Sequence, residues 1–202
     1  MTKLSKLVLT AVAASLVLAA VVGTASANRL SVSNRAIRVV WTPLDFDNIV
    51  DCNVTLEGEF VASTIEKRPK ALLGRITRAA VSNCTEGVTV LTETLPWHIT
   101  YQGFIGRLPT ISGIRLLLVG ASFLLNIFGV QCLYRATEVD NASGIANINE
   151  ATGQVTGLRA DETDPIPLAE GSFLCPDEGH FAGTGTVRQQ GTTTGLIFVR
   201  LI

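Results

Sequence analysis

The chain has little of what announces an enzyme or a nucleic-acid binder. Its 202 residues include two histidines, one methionine and two tryptophans, and aromatics make up 6%. No G-x-S-x-G elbow and no H-E-x-x-H pair occurs, so neither a nucleophile-elbow hydrolase nor a helical zinc protease is signalled. No two cysteines stand close enough for the usual zinc spacings, which argues against a metal site. No charge of one sign dominates: 16 Lys and Arg face 17 Asp and Glu. The arginines are scattered, so the basic footprint of a nucleic-acid interface is missing. A convincing helical stripe is also missing after residue 27.

What is present begins with the first 27 residues. Lys3 and Lys6 precede an uncharged, mostly apolar run from Leu7 to Val22, and Thr24-Ala25-Ser26-Ala27 follows. That order predicts a helical signal peptide over 1–27, cut between Ala27 and Asn28. The apolar run is near 16 residues, whereas a membrane span needs roughly 20. Residues 28–202 then read as a single domain, secreted or extracytoplasmic, with association to the cell surface as one form of that, and with no transmembrane span once the leader is removed. Losing both leader lysines moves the formal net charge from −1 to about −3.

Cys52, Cys84, Cys132 and Cys175 all lie after the leader. An even number in an exported chain favours two disulfides. Three connectivities are open, and the sequential pairing Cys52–Cys84 with Cys132–Cys175 is favoured. Each such loop contributes about 3.5–4 kcal/mol in the chain-entropy account.

Short runs rich in Val, Ile, Thr and Leu alternate with Gly, Pro, Asn and Asp. Val50, Cys52, Val54 and Leu56 fall on one face of an extended segment, with Asp51, Asn53, Thr55 and Glu57 on the other. Ile111–Val119 and Ser122–Ile127 read as two further strands. Polar, turn-rich Asp140–Gly153 reads as a long hairpin loop. The cadence predicts an all-β fold: an antiparallel β-sandwich, or sandwich-like open barrel, of roughly nine or ten strands.

Site candidates are few. Asp45, Asp47 and Asp51 form one acidic group, and Asp161, Glu162 and Asp164 another; neither matches an EF-hand loop. His98 and His180 are the only bases for a triad. No cofactor and no metal is expected. If exposed, the run from Leu116 to Phe128 supplies an apolar interaction patch made of Leu116, Leu118, Phe123, Leu125 and Phe128. In Leu95-Pro96-Trp97 the proline sets a turn and Trp97 anchors packing, with ligand contact as the sharper reading.

Cys52-x-x-x-Leu56-x-Gly58, Ile76-x-x-Ala79 before Cys84, Thr94-Leu95-Pro96-Trp97-His98-Ile99, a Gly-Ile-x-Leu segment and Cys132 follow one another in order. This arrangement resembles uncharacterised exported four-cysteine β proteins of GC-rich bacteria. It also resembles the alkane-oxidation activator family of biofilm-associated surface proteins. The resemblance covers about 80 residues and implies a surface or matrix role in contact with hydrophobic material, with no catalytic residues to transfer. The expected function is therefore non-catalytic: adhesion, matrix or binding of an apolar ligand, with an apolar ligand or a surface or matrix component as partner. The alternative is a secreted hydrolase using carboxylates of the acidic turns.

Overall fold

The computed structural model describes residues 29–139, 142–160 and 163–202. The expected leader and its cleavage site lie outside the described residues. In chain order the strands are β1 (Arg29–Val32), β2 (Ala36–Phe46), β3 (Val50–Phe60), β4 (Thr64–Glu66), β5 (Leu72–Ser82) and β6 (Gly87–Val90). There follow β7 (Trp97–Ile105), β8 (Gly113–Val119), β9 (Ser122–Ile127), β10 (Val130–Arg135), β11 (Ala142–Ile148) and β12 (Val155–Ala160). The last are β13 (Ile166–Gly171), β14 (Glu178–Gly179), β15 (Phe181–Ala182), β16 (Thr184–Gln189) and β17 (Val199–Leu201). Among the described residues the only helical element is one short turn, Thr92–Thr94.

Eight of these strands pair antiparallel in chain order: β2, β3, β5, β7, β8, β11, β12 and β16. Strand β16 returns to β2, which also pairs with β3. The sheet therefore closes on itself as an up-and-down barrel. The fold is all-β and antiparallel, as expected, but a closed barrel with added strands takes the place of the expected sandwich or sandwich-like open barrel. Alternation of apolar and polar residues is the same in both architectures, and only the pairing of β2 with both β3 and β16 distinguishes them. Along β2, Ile37, Val39 and Trp41 are buried on the inner face, while Arg38 points outward. Pro43 sits where the β2–β3 register shifts, between Trp41 and Leu44. A residue without an N–H fits such a bulge.

Antiparallel strands in chain order put every second connection at the same end. Call the end holding the β2–β3 turn the upper one. The segments inserted after β5, β8 and β12 all leave from it, and from them β6, β9, β10, β13 and β14 form one five-stranded sheet, ordered β14-β13-β10-β9-β6. Strand β15 extends the upper end of β2. At the lower end, β17, β1 and β4 form a three-stranded sheet. Each mouth is thus covered by a small sheet of its own.

The upper turn follows from its residues. Asp47 and Asn48 have φ of 52° and 55°, and the Ile49 N–H donates to the Phe46 carbonyl at 2.9 Å. Asp and Asn tolerate that left-handed geometry, which matches the twist of a tight hairpin. Two disulfides join Cys52 to Cys84 and Cys132 to Cys175, as the favoured pairing has it. They fit an oxidising, extracytoplasmic compartment. No helix among the described residues is long and apolar enough to cross a membrane.

Candidate functional site: the barrel cavity

The inner face of the barrel is unevenly filled. Strands β2 and β7 contribute the indoles of Trp41 and Trp97, both buried. Strand β11 contributes almost nothing. Its register sets Ala142, Gly144 and Ala146 opposite Leu118, Leu116 and Ile114 of β8, so three small residues face inward in succession. Gly185 of β16 adds another gap. A Cβ there would sit 2.7 Å from the Trp41 ring, so the glycine is what lets that indole lie across the strand.

The mismatch leaves an apolar cavity of about 210 Å³. Its walls come from the barrel and from both covering sheets, including Leu30, Ile65 and Val199 below and Val88, Phe123 and Leu125 above. Apart from Trp41 and Trp97 with their N–H groups, the only polar side chains reaching the lining belong to Ser143 and the largely exposed Arg159. Among the described residues no carboxylate and no histidine lines it.

Asp140–Gly153 was expected as a loop, and the observed strand β11 corrects this. Small and polar residues read as turn signals when taken alone. Here Ala-x-Gly-x-Ala alternates with period two, so the small residues face the cavity. This is the one functional signal that the sequence carried and that its turn-like composition hid.

The two tryptophans differ in a way that bears on chemistry. The Trp97 N–H donates to Thr94 Oγ1 at 2.8 Å. The Trp41 N–H is buried and has no hydrogen-bond partner. A buried donor left unpaired costs about 1–3 kcal/mol. The expected ligand residue Trp97 does line the cavity, held in place by the turn that Pro96 and Thr94 build.

The upper end is closed by packed aromatic rings. Phe46 lies 4.9 Å from Tyr134, 5.1 Å from Phe181 and 5.3 Å from Phe123, measured between ring centroids. Gly179 packs against the Phe46 ring so closely that any side chain would collide with it. The Tyr134 hydroxyl donates to the Pro176 carbonyl at 3.0 Å. Burial pushes the Tyr134 phenol up to about 12, helped by the charges of Asp47 and Asp177. Burial also raises the pKa of Tyr101.

The expected interaction patch does not form as a surface, which is a second correction. Phe123 and Leu125 are 7% and 1% exposed, and Leu116 and Leu118 turn toward the cavity. Only Phe128, at the β9–β10 turn, stands out at 92% exposed. Alternation accounts for this: once β8 and β9 are strands of two different sheets, their apolar sides face the same interior.

The acidic groups do not converge on a cleft. Asp45 accepts from the Asn48 N–H at 3.1 Å and so stabilises its own turn. Asp47 pairs with His180, Oδ1 to Nδ1, at 3.1 Å, and the Asp47 N–H donates to the His180 carbonyl. Together these tie the hairpin to the segment beside β15. Asp51 is exposed on β3, and His98 is exposed on β7, where its neighbours are Arg75 and Val119. Asp164 lies in the segment before β13; Asp161 and Glu162 lie outside the described residues. Among the described residues no three His, Cys, Asp or Glu side chains are grouped to hold a metal ion. Compared with family models, curated proteins and solved structures, the chain matches none.

Proposed function

We propose that this protein is an exported, non-catalytic carrier that binds one small apolar molecule inside its barrel. The observation that carries this reading is the cavity of about 210 Å³ with its almost wholly apolar lining. A cavity of about 150 Å³ with such walls stays dry and takes up benzene. This one is larger, yet smaller than the roughly 300–1,000 Å³ of drug-sized sites. The occupant is therefore compact, of roughly six to ten non-hydrogen atoms.

The outer face of the barrel supports the reading. Glu57 on β3 pairs with Arg78 at 3.0 Å and Arg38 at 3.6 Å, and accepts from Gln190 at 3.3 Å. Charge outside and hydrocarbon inside reverses the alternation of a lipid-facing barrel. Contact with hydrophobic material, implied by the resemblance to biofilm-associated surface proteins, runs in the same direction. The hydrolase alternative has no observation in its favour, because among the described residues no carboxylate or histidine reaches the cavity.

The test is calorimetric titration of the purified protein with ethylbenzene, paired with thermal unfolding. A ligand at 100 times its Kd stabilises by about 2.7 kcal/mol, so the midpoint rises with concentration. Ala146→Leu fills the space beside β11; it should abolish binding and leave the protein as stable or more so. Absence of both binding heat and midpoint shift would sink the carrier reading.

A further inference from the structure

Resting on the carrier reading, we infer that the cavity selects a neutral molecule with one hydrogen-bond acceptor, such as a ketone, ester or ether oxygen, which accepts from the Trp41 N–H. Three observations converge on this. Trp41 is 5% exposed and lines the cavity. Its Nε1 is buried with no partner in the protein. The second tryptophan of the lining, Trp97, already donates to Thr94 Oγ1, so Trp41 is the indole with a free donor.

Geometry limits where the missing acceptor can come from. The face of the Trp41 indole is covered by Gly185, and its inner-face neighbours Val39 and Val187 are hydrocarbon. We assign the missing acceptor to an occupant of the cavity that Trp41 lines. A buried water needs two to four polar partners to be held well. Beside the Trp97 N–H, already engaged, the polar side-chain groups of the lining are the Trp41 N–H, the likewise unpaired Ser143 hydroxyl and the largely exposed Arg159, against walls that are otherwise hydrocarbon, so water is a poor occupant. A ligand oxygen needs only the one donor and brings its own apolar body for the remaining volume. A carboxylate is selected against, because Arg159, the one cation of the lining among the described residues, is largely exposed, and an unpaired charge in hydrocarbon is strongly disfavoured. A hydrocarbon would fill the space but leave the N–H unpaired.

The experiment uses three near-isosteric probes: acetophenone, ethylbenzene and benzoate. Affinities are measured by calorimetry for the full chain, for Trp41→Phe and for Trp97→Phe. Replacing Trp41 by Phe should weaken acetophenone about tenfold more than ethylbenzene, whose change reports only the altered shape of the wall. Trp97→Phe should change both neutral probes by the same factor. Benzoate should not bind. In the unsubstituted protein, nitrogen-15 spectra show one indole N–H signal for each tryptophan. The Trp41 signal should move downfield with acetophenone and not with ethylbenzene, a readout that does not depend on how well a variant folds. Equal weakening of both neutral probes, an unmoved Trp41 signal, or benzoate binding as tightly as acetophenone would overturn the inference while the carrier reading stands. Failure of both neutral probes to bind the unsubstituted protein would overturn the two together.

Discussion

The two ends of the barrel are closed by different means. At the upper end Phe123 and Tyr134 of the five-stranded sheet pack with Phe46 and Phe181 over the mouth, and one disulfide, Cys132–Cys175, joins β10 of that sheet to the segment between β13 and β14. The other, Cys52–Cys84, joins the upper end of β3 to the segment after β5. At the lower end three strands of four, three and three residues meet. They bury Leu30, Val32, Ile65, Ile197 and Val199, and no disulfide crosses them. Cross-links narrow the unfolded ensemble, whereas short hydrogen-bonded strands open locally at modest cost. The carrier reading therefore predicts that the cavity exchanges its contents through the lower sheet while the upper sheet stays closed.

The largest test of that contrast removes a staple. Replacing Cys132 and Cys175 by serine should cost about 4 kcal/mol, read from urea unfolding. Amide exchange should quicken in β10 and β13 more than in β1 and β17; equal quickening at both ends would make them one cooperative unit and end the contrast. Next is Leu30→Ala, which removes a side chain 1% exposed. It should cost about 3 kcal/mol and speed ethylbenzene release in stopped-flow mixing.

A third test uses pH at the upper end. The phenol of Tyr134 is raised from 10 to about 12 in the folded protein. The folded state keeps its proton where the unfolded state has lost it. This contribution is thus complete below pH 10 and is lost as pH rises toward about 12. Urea midpoints across that range should fall for the unsubstituted protein and fall less for Tyr134→Phe. The last test, and the most direct on the gate, is a clamp. Ser31 and Arg200 are opposed in the β1–β17 register, at a spacing suited to a disulfide. Oxidised Ser31→Cys, Arg200→Cys should slow uptake and release of ethylbenzene together and leave its affinity unchanged. Unslowed exchange would move the gate elsewhere.

Much of the local structure was legible. The alternation of Val50, Cys52, Val54 and Leu56 marked an inner face, and Ser122–Ile127 is β9 with the same bounds. The cysteine count pointed to the two disulfides that form. What misled was composition read without partners. The apolar run from Leu116 to Phe128 resembled a patch, but its side chains meet the interiors of two sheets. The polar tract around Gly144 resembled a loop, but it completes a wall.

The sequence by itself determined that the fold is all-β and, for segments such as β3 and β9, which stretch is a strand and which side is apolar, because period-two alternation is a property of neighbouring residues. The even number of cysteines pointed to two disulfides, and which of the three pairings forms is decided by the fold. Only the tertiary structure decided that the sheet closes, that small sheets cover both mouths, and that one tryptophan N–H is left without a partner. Each of these depends on residues far apart in the chain. Trp41, Gly144 and Gly185 come together only when β2 has found both β3 and β16, and the cavity is the volume that their side chains leave unfilled.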